Sequence, residues 1–205
     1  MNALAPAGWM RRSVLLSETI SAFVGRAASW LILVLTLMIC YEVVWRYLLS
    51  SPHDWVFDTS YMLYGALFML AGAYALAQNA HVRGDFMYGS FPPRLQASID
   101  LVLYLAFFVP GVGALLWSGF TFAQESWAIR EGSPMTPDGP PQYPFKTVIP
   151  IAGALLLMQG VAEMLRCVIC LRSGQWPPRR TDTQEVDVER LRAELAGNGS
   201  PISPP

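Results

Sequence analysis

Residues 59–80 read TSYMLYGALFMLAGAYALAQNA, with no Asp, Glu, Lys, Arg or His among them. A helix of about 20 apolar residues crosses the hydrocarbon core of a bilayer, which is about 30 Å thick, so this stretch predicts a membrane span. Other stretches share its character. Leu101 to Gln124 carries no charge. Thr147 to Ala162 carries none and continues apolar to Leu171 apart from Glu163 and Arg166. Ala27 to Tyr41 carries none and continues to Leu49 apart from Glu42 and Arg46. The expected spans are 27–49, 57–79, 100–123 and 147–171. Lipid offers no water to backbone N–H and C=O groups, so each segment must satisfy its own, which selects helices. The apolar runs do not alternate as barrel strands do. The expected fold is all-α: an integral membrane protein with four transmembrane helices and a short amphipathic N-terminal helix.

The whole composition agrees. Of 205 residues, 53% are hydrophobic and only 14% charged, against about 25% charged in an ordinary globular domain; the mean hydropathy is +0.35. This excludes a water-soluble enzyme. A net charge of −1 leaves no basic excess for nucleic acid. No catalytic residue, cofactor or metal is expected. His53 and His81 fall near opposite faces, so one haem iron cannot reach both, and an electron-transfer anchor is disfavoured. Cys167 and Cys170 stand at a helix end, where the expectation is apolar packing rather than redox chemistry.

Arginine placement sets the orientation. With the N-terminus in the cytoplasm, the inside holds nine basic residues near the spans (Arg11, Arg12, Arg26, Arg83, Arg94, Arg166, Arg172, Arg179, Arg180) and the outside three (Arg46, Arg130, Lys146). Both termini are expected inside, and the N-terminus is expected to be retained. Residues 1–26 form a cytoplasmic segment in which 13–26 is an amphipathic lead-in, with Val14, Leu15, Ile20 and Phe23 toward the membrane surface. Residues 172–205 form a polar, partly disordered tail. The outer connection 125–146 is rich in proline and expected to be extended. Pro110, Gly111 and Gly113 are expected to bend the third span.

Ionisable groups near a membrane cost free energy unless partnered. Glu42 and Arg46 are one turn apart, and Glu163 and Arg166 stand at i,i+3; each spacing predicts an ion pair on one helix face. Asp100 is expected to pair with Arg83 or Arg94. These charges hug the span ends, which favours structural pairs over a solute pathway. The small residues of the second span, Ala71 and Gly72 among them, allow another helix to come close.

Several stretches, in order, resemble the DctQ-type small membrane subunit of tripartite ATP-independent periplasmic (TRAP) transporters: Glu42-Val43-Val44-Trp45-Arg46-Tyr47, then Trp55 and Asp58; Ala71-Gly72-Ala73-Tyr74-Ala75-Leu76; His81-Val82-Arg83-Gly84-Asp85, similar to that family's His-Val-Arg-x-Asp; and Pro144-Phe145-Lys146, Pro150 and Gln159-Gly160. The resemblance covers roughly 20–172. It implies a bacterial inner-membrane scaffold that holds a large DctM-type permease subunit. That subunit would carry out sodium-coupled uptake of an organic acid-type solute, delivered by a periplasmic solute-binding protein. Glu42, Arg46, Ala71, Gly72, His81, Arg83, Asp85, Asp100, Glu163 and Arg166 are then structural or partner-interface residues. The competing reading is a self-sufficient four-helix proton-coupled exporter with Glu42 as its coupling carboxylate.

Overall fold

The computed structural model describes residues 8–78, 91–137 and 139–177. Helix α1 runs Gly8–Leu48 and α2 Asp54–Ala77. Helix α3, Pro93–Leu103, passes through a π-helical turn at Tyr104–Phe108 into α4, Val109–Ile129. A single turn, α5, Tyr143–Lys146, leads into α6, Val148–Ser173. Four helical stretches, counting α3–α4 and α5–α6 as one each, are long and apolar enough to cross a membrane.

The expected lead-in at 13–26 is the N-terminal half of α1, not a separate helix. Its buried face is Met10, Val14, Ser17, Glu18, Ser21, Gly25 and Ala28, a three-and-four spacing that presents one stripe to a neighbour. Of the residues assigned to the membrane surface, Val14 is buried in this stripe while Leu15 and Phe23 are exposed. Helix α1 spans about 60 Å at 1.5 Å per residue, twice the hydrocarbon core, so one half of it extends beyond a 30 Å slab. Gly25 permits the close crossing of α1 and α2: a Cβ there would collide with the Tyr74 ring.

Helix α6 is the centre. It packs against α1, α2, α3 and α4, whereas α1 and α2 pair with each other. In its most apolar window 39% of residues are buried, against 6% for the Pro93–Ile129 arm. Small and polar residues make this contact: Ala152, Gly153, Gln159, Gly160, Ala162 and Cys167 face inward. Without a hydrophobic drive between helices in lipid, close packing and hydrogen bonds must hold them together.

Just before Pro110, where a bend is expected, the helix widens into the π turn. Proline lacks an N–H, and its ring crowds the carbonyl four residues earlier, that of Ala106. A π turn gives that carbonyl room. The bundle has two ends. Residues 166–177 meet both 8–26 and 91–97 at the terminal end; at the loop end, 42–58 meet 126–148 through Asp58, Ser133 and Thr136. The 178–205 tail and residues 1–7 lie outside the described residues.

Candidate functional site

The terminal end is built on Arg166. Its guanidinium donates from Nη1 to Glu18 Oε1 at 2.5 Å and from Nη2 to the Pro177 carbonyl at 2.7 Å. Glu163, the partner expected from spacing, is reached at 3.9 Å from Nε. The pair expected on one helix is therefore a three-group cluster, and its closest contact joins α6 to α1. A planar guanidinium can serve several acceptors at once, which suits such a junction. Beside it, Ser21 donates to Gln159 Oε1 at 3.0 Å, and Gln159 Nε2 stands 3.4 Å from Glu163 Oε1. Glu18 Oε2 is buried without a hydrogen-bond partner.

Cys167 and Cys170 are buried against Ala97, with Leu101, Tyr104 and Trp176 around them. Cys170 Sγ faces the Pro93 carbonyl at 3.6 Å, and Trp176 Nε1 donates to Gln96 at 3.1 Å. The C-x-x-C spacing thus serves the seam of α3 and α6. Two clefts open at this end. One, of about 370 Å³, lies between α1 and α2 and is lined by Glu18, Arg26 and Tyr74. The other, of about 350 Å³, lies between α1 and the end of α6, beside Arg11 and Trp176.

At the loop end, Glu42 and Arg46 form the expected pair, with Nη2 to Oε1 at 2.9 Å. Glu42 also accepts the backbone N–H of His53 at 3.2 Å and faces its Nδ1 at 3.1 Å. The carboxylate therefore closes the tight 49–53 turn, where Ser50 takes the left-handed conformation at φ 52°, and ties α1 to the start of α2. His53 escapes spacing arguments because it meets Glu42 only once the turn has formed. Tyr41 and Trp45 stack at 5.2 Å, and the His53 ring lies 5.7 Å from each. Amphipathic rings of this kind favour the membrane–water boundary.

The proline-rich connection is not a free extended arm. Ser133 and Thr136 both donate to Asp58 Oδ2. Gln142 bonds the Tyr61 hydroxyl, and Lys146 bonds Glu131 and lies 3.9 Å above the Phe122 ring. The Lys146 hydrogen bond, with help from Ser126, holds the Glu131 carboxyl below the usual carboxylate range. Trp127 Nε1 donates to Thr147 at 2.8 Å.

The remaining sequence-derived positions divide. Asp100 is buried in α3. Ala71 and Gly72 are half-buried. A Cβ on Gly72 would stand 3.7 Å from Leu156 Cδ2, so that side of α2 faces α6 of its own chain. His81, Arg83 and Asp85, and with them any Arg83–Asp100 pair, lie outside the described residues. No curated protein matches the chain. The family described as tripartite ATP-independent periplasmic transporters, DctQ component, matches residues 35–170.

Proposed function

The chain belongs to the DctQ component family of tripartite ATP-independent periplasmic transporters, and from that premise we propose that it acts as the scaffold of the assembly, not as its solute carrier. It is a small, multi-pass membrane subunit of a transporter and not an enzyme. Its partners in this reading are a large DctM-type permease subunit, which performs sodium-coupled uptake of an organic acid-type solute, and a periplasmic solute-binding protein. The membrane is the bacterial inner membrane, with the terminal end in the cytoplasm, as the arginine distribution favours.

The observation that carries the proposal is the placement of polar groups. Charges in the described helices gather at the two ends and are largely tied to one another or to backbone, while 27–41, 59–77, 101–124 and 147–162 hold none. A solute route needs polar groups near the midplane and interrupted helices there. The sparse burial of the Pro93–Ile129 arm leaves an outward apolar face for the large subunit. The exporter reading asks Glu42 to exchange protons, yet both its oxygens are engaged, by Arg46 and by His53.

The test is affinity purification of the tagged chain from its native membrane in mild detergent, with partners identified by mass. A large multi-span permease in fixed ratio is the expected result. Recovery of this chain alone, active in proton-coupled export after reconstitution, would overturn the scaffold.

A further inference from the structure

Asp58 is fully buried at the start of α2, although it lies in the second turn of a helix that begins beside an exposed connection. What covers it is the chain on the far side of α4. Ser133 and Thr136 bring their hydroxyls to one oxygen, Oδ2, across 75 and 78 residues of sequence. Ser133 Oγ is fully used: it donates to Asp58 and accepts the N–H groups of Met135 at 3.0 Å and Thr136 at 3.2 Å. With both lone pairs taken, Ser133 Oγ is wholly committed to a hydrogen-bonded clasp. The backbone closes down behind it. Gly139 N–H bonds the Thr136 carbonyl at 3.1 Å, and Gln142 N–H bonds the Glu131 carbonyl at 2.9 Å. A Cβ on Gly139 would stand 2.5 Å from Asp58 Oδ2, so only glycine lets the chain lie this close to the carboxylate.

The other oxygen, Oδ1, is buried with no hydrogen-bond partner. A carboxylate in water hydrates both oxygens, so closing the strap strips one of them without replacement. Two opposing terms meet at this residue. Charge-assisted bonds from two hydroxyls hold the strap down, and the desolvated oxygen works to lift it.

We propose that the described residues of the 131–142 connection form a strap latched onto Asp58, and that the latch is poised, so that loss of one hydroxyl contact releases it. Closed, the strap turns Pro134, Met135 and Pro137 outward in a fixed arrangement. Released, it returns Asp58 to water.

The test is hydrogen–deuterium exchange on the full chain in lipid nanodiscs, read at the Gly139 and Gln142 amides, which bond backbone carbonyls and do not touch Asp58. Thr136→Val removes a hydroxyl whose bond goes to Asp58 and keeps the side chain's shape. Asp58→Asn keeps a carbonyl oxygen but removes the charge that strengthens both bonds. Both variants are expected to speed exchange at the two amides roughly ten-fold or more, the scale of one lost charge-assisted bond. Unchanged exchange in Thr136→Val would overturn the latch, and that variant decides alone if Asp58→Asn does not fold. The readout needs no partner subunit, so its failure would leave the scaffold role standing, and failure of the scaffold role would leave the latch standing.

Discussion

Arg166 and Arg46 each stand within one helical turn of a glutamate on their own helix, yet they end in different circumstances. The Arg46 side chain is 53% exposed and keeps its local partner, Glu42. The Arg166 side chain is 2% exposed and makes its closest contact with Glu18, on another helix. The difference is one of solvent. At the rim, water reaches the Arg46 guanidinium and screens it, while the buried Glu42 leans also on the His53 N–H, so the Arg46 contact by itself adds little. Inside the bundle, an arginine must find acceptors for most of its donors, and two helices supply more of them than one.

The largest expected effect follows from that contrast. Arg166→Met would leave Glu18 buried without its cation, a loss of about 3–5 kcal/mol, read as a collapse of the thermal transition in detergent. The double variant Glu18→Gln with Arg166→Met is expected to recover part of that loss, because Glu163 is then the one carboxylate of the cluster that has lost the Arg166 charge. A double variant no better than the single one would show that the Glu18–Arg166 contact adds little to the junction.

Glu42→Gln probes the other end. It is expected to lower the transition much less than Arg166→Met, by an amount that shrinks with added salt. A loss as large as that at Arg166 would erase the distinction between rim and interior. The smallest effect belongs to Glu131. Its folded-state pKa is lowered by Lys146, so its contribution is fully present above the unfolded value of about 4.3 and is lost as pH falls through the lower folded value. The melting temperature of Lys146→Met should therefore converge on that of the parent chain below that range. A gap that persists in acid would assign the role of Lys146 to its contact with Phe122.

Much of the fold is legible in the sequence because one solvent imposes it. Charge-free runs of about 20 residues leave few alternatives in lipid, and the four spans follow. Glu42–Arg46 is legible for a related reason, since helical periodicity alone brings i and i+4 together. Contacts between distant segments are not legible in that way. Ser21 meets Gln159 across 138 residues, and Glu18 meets Arg166 across 148. No local spacing rule joins them; they meet only after α1 and α6 pack. The same limit applies at 125–146, where proline content predicts an extended arm but carries no information on the two hydroxyls that bind Asp58. Pro110 marks where the third span departs from regular geometry, and the π turn just before it is the form that departure takes.

The central place of α6 has a consequence for biogenesis. Among the described helices it is the last to be synthesised, and α1 is the first. Glu18 and Ser21 therefore leave the ribosome long before Arg166 and Gln159 exist to receive them. Until then α1 and α2 wait in the bilayer with Glu18 and Ser21 unmatched, held to each other by the crossing at Gly25 and Tyr74 and by the Glu42–His53 contact. Of the described helices, α6 completes the bundle, and a chain that stops short of residue 166 carries Glu18 without its counter-charge.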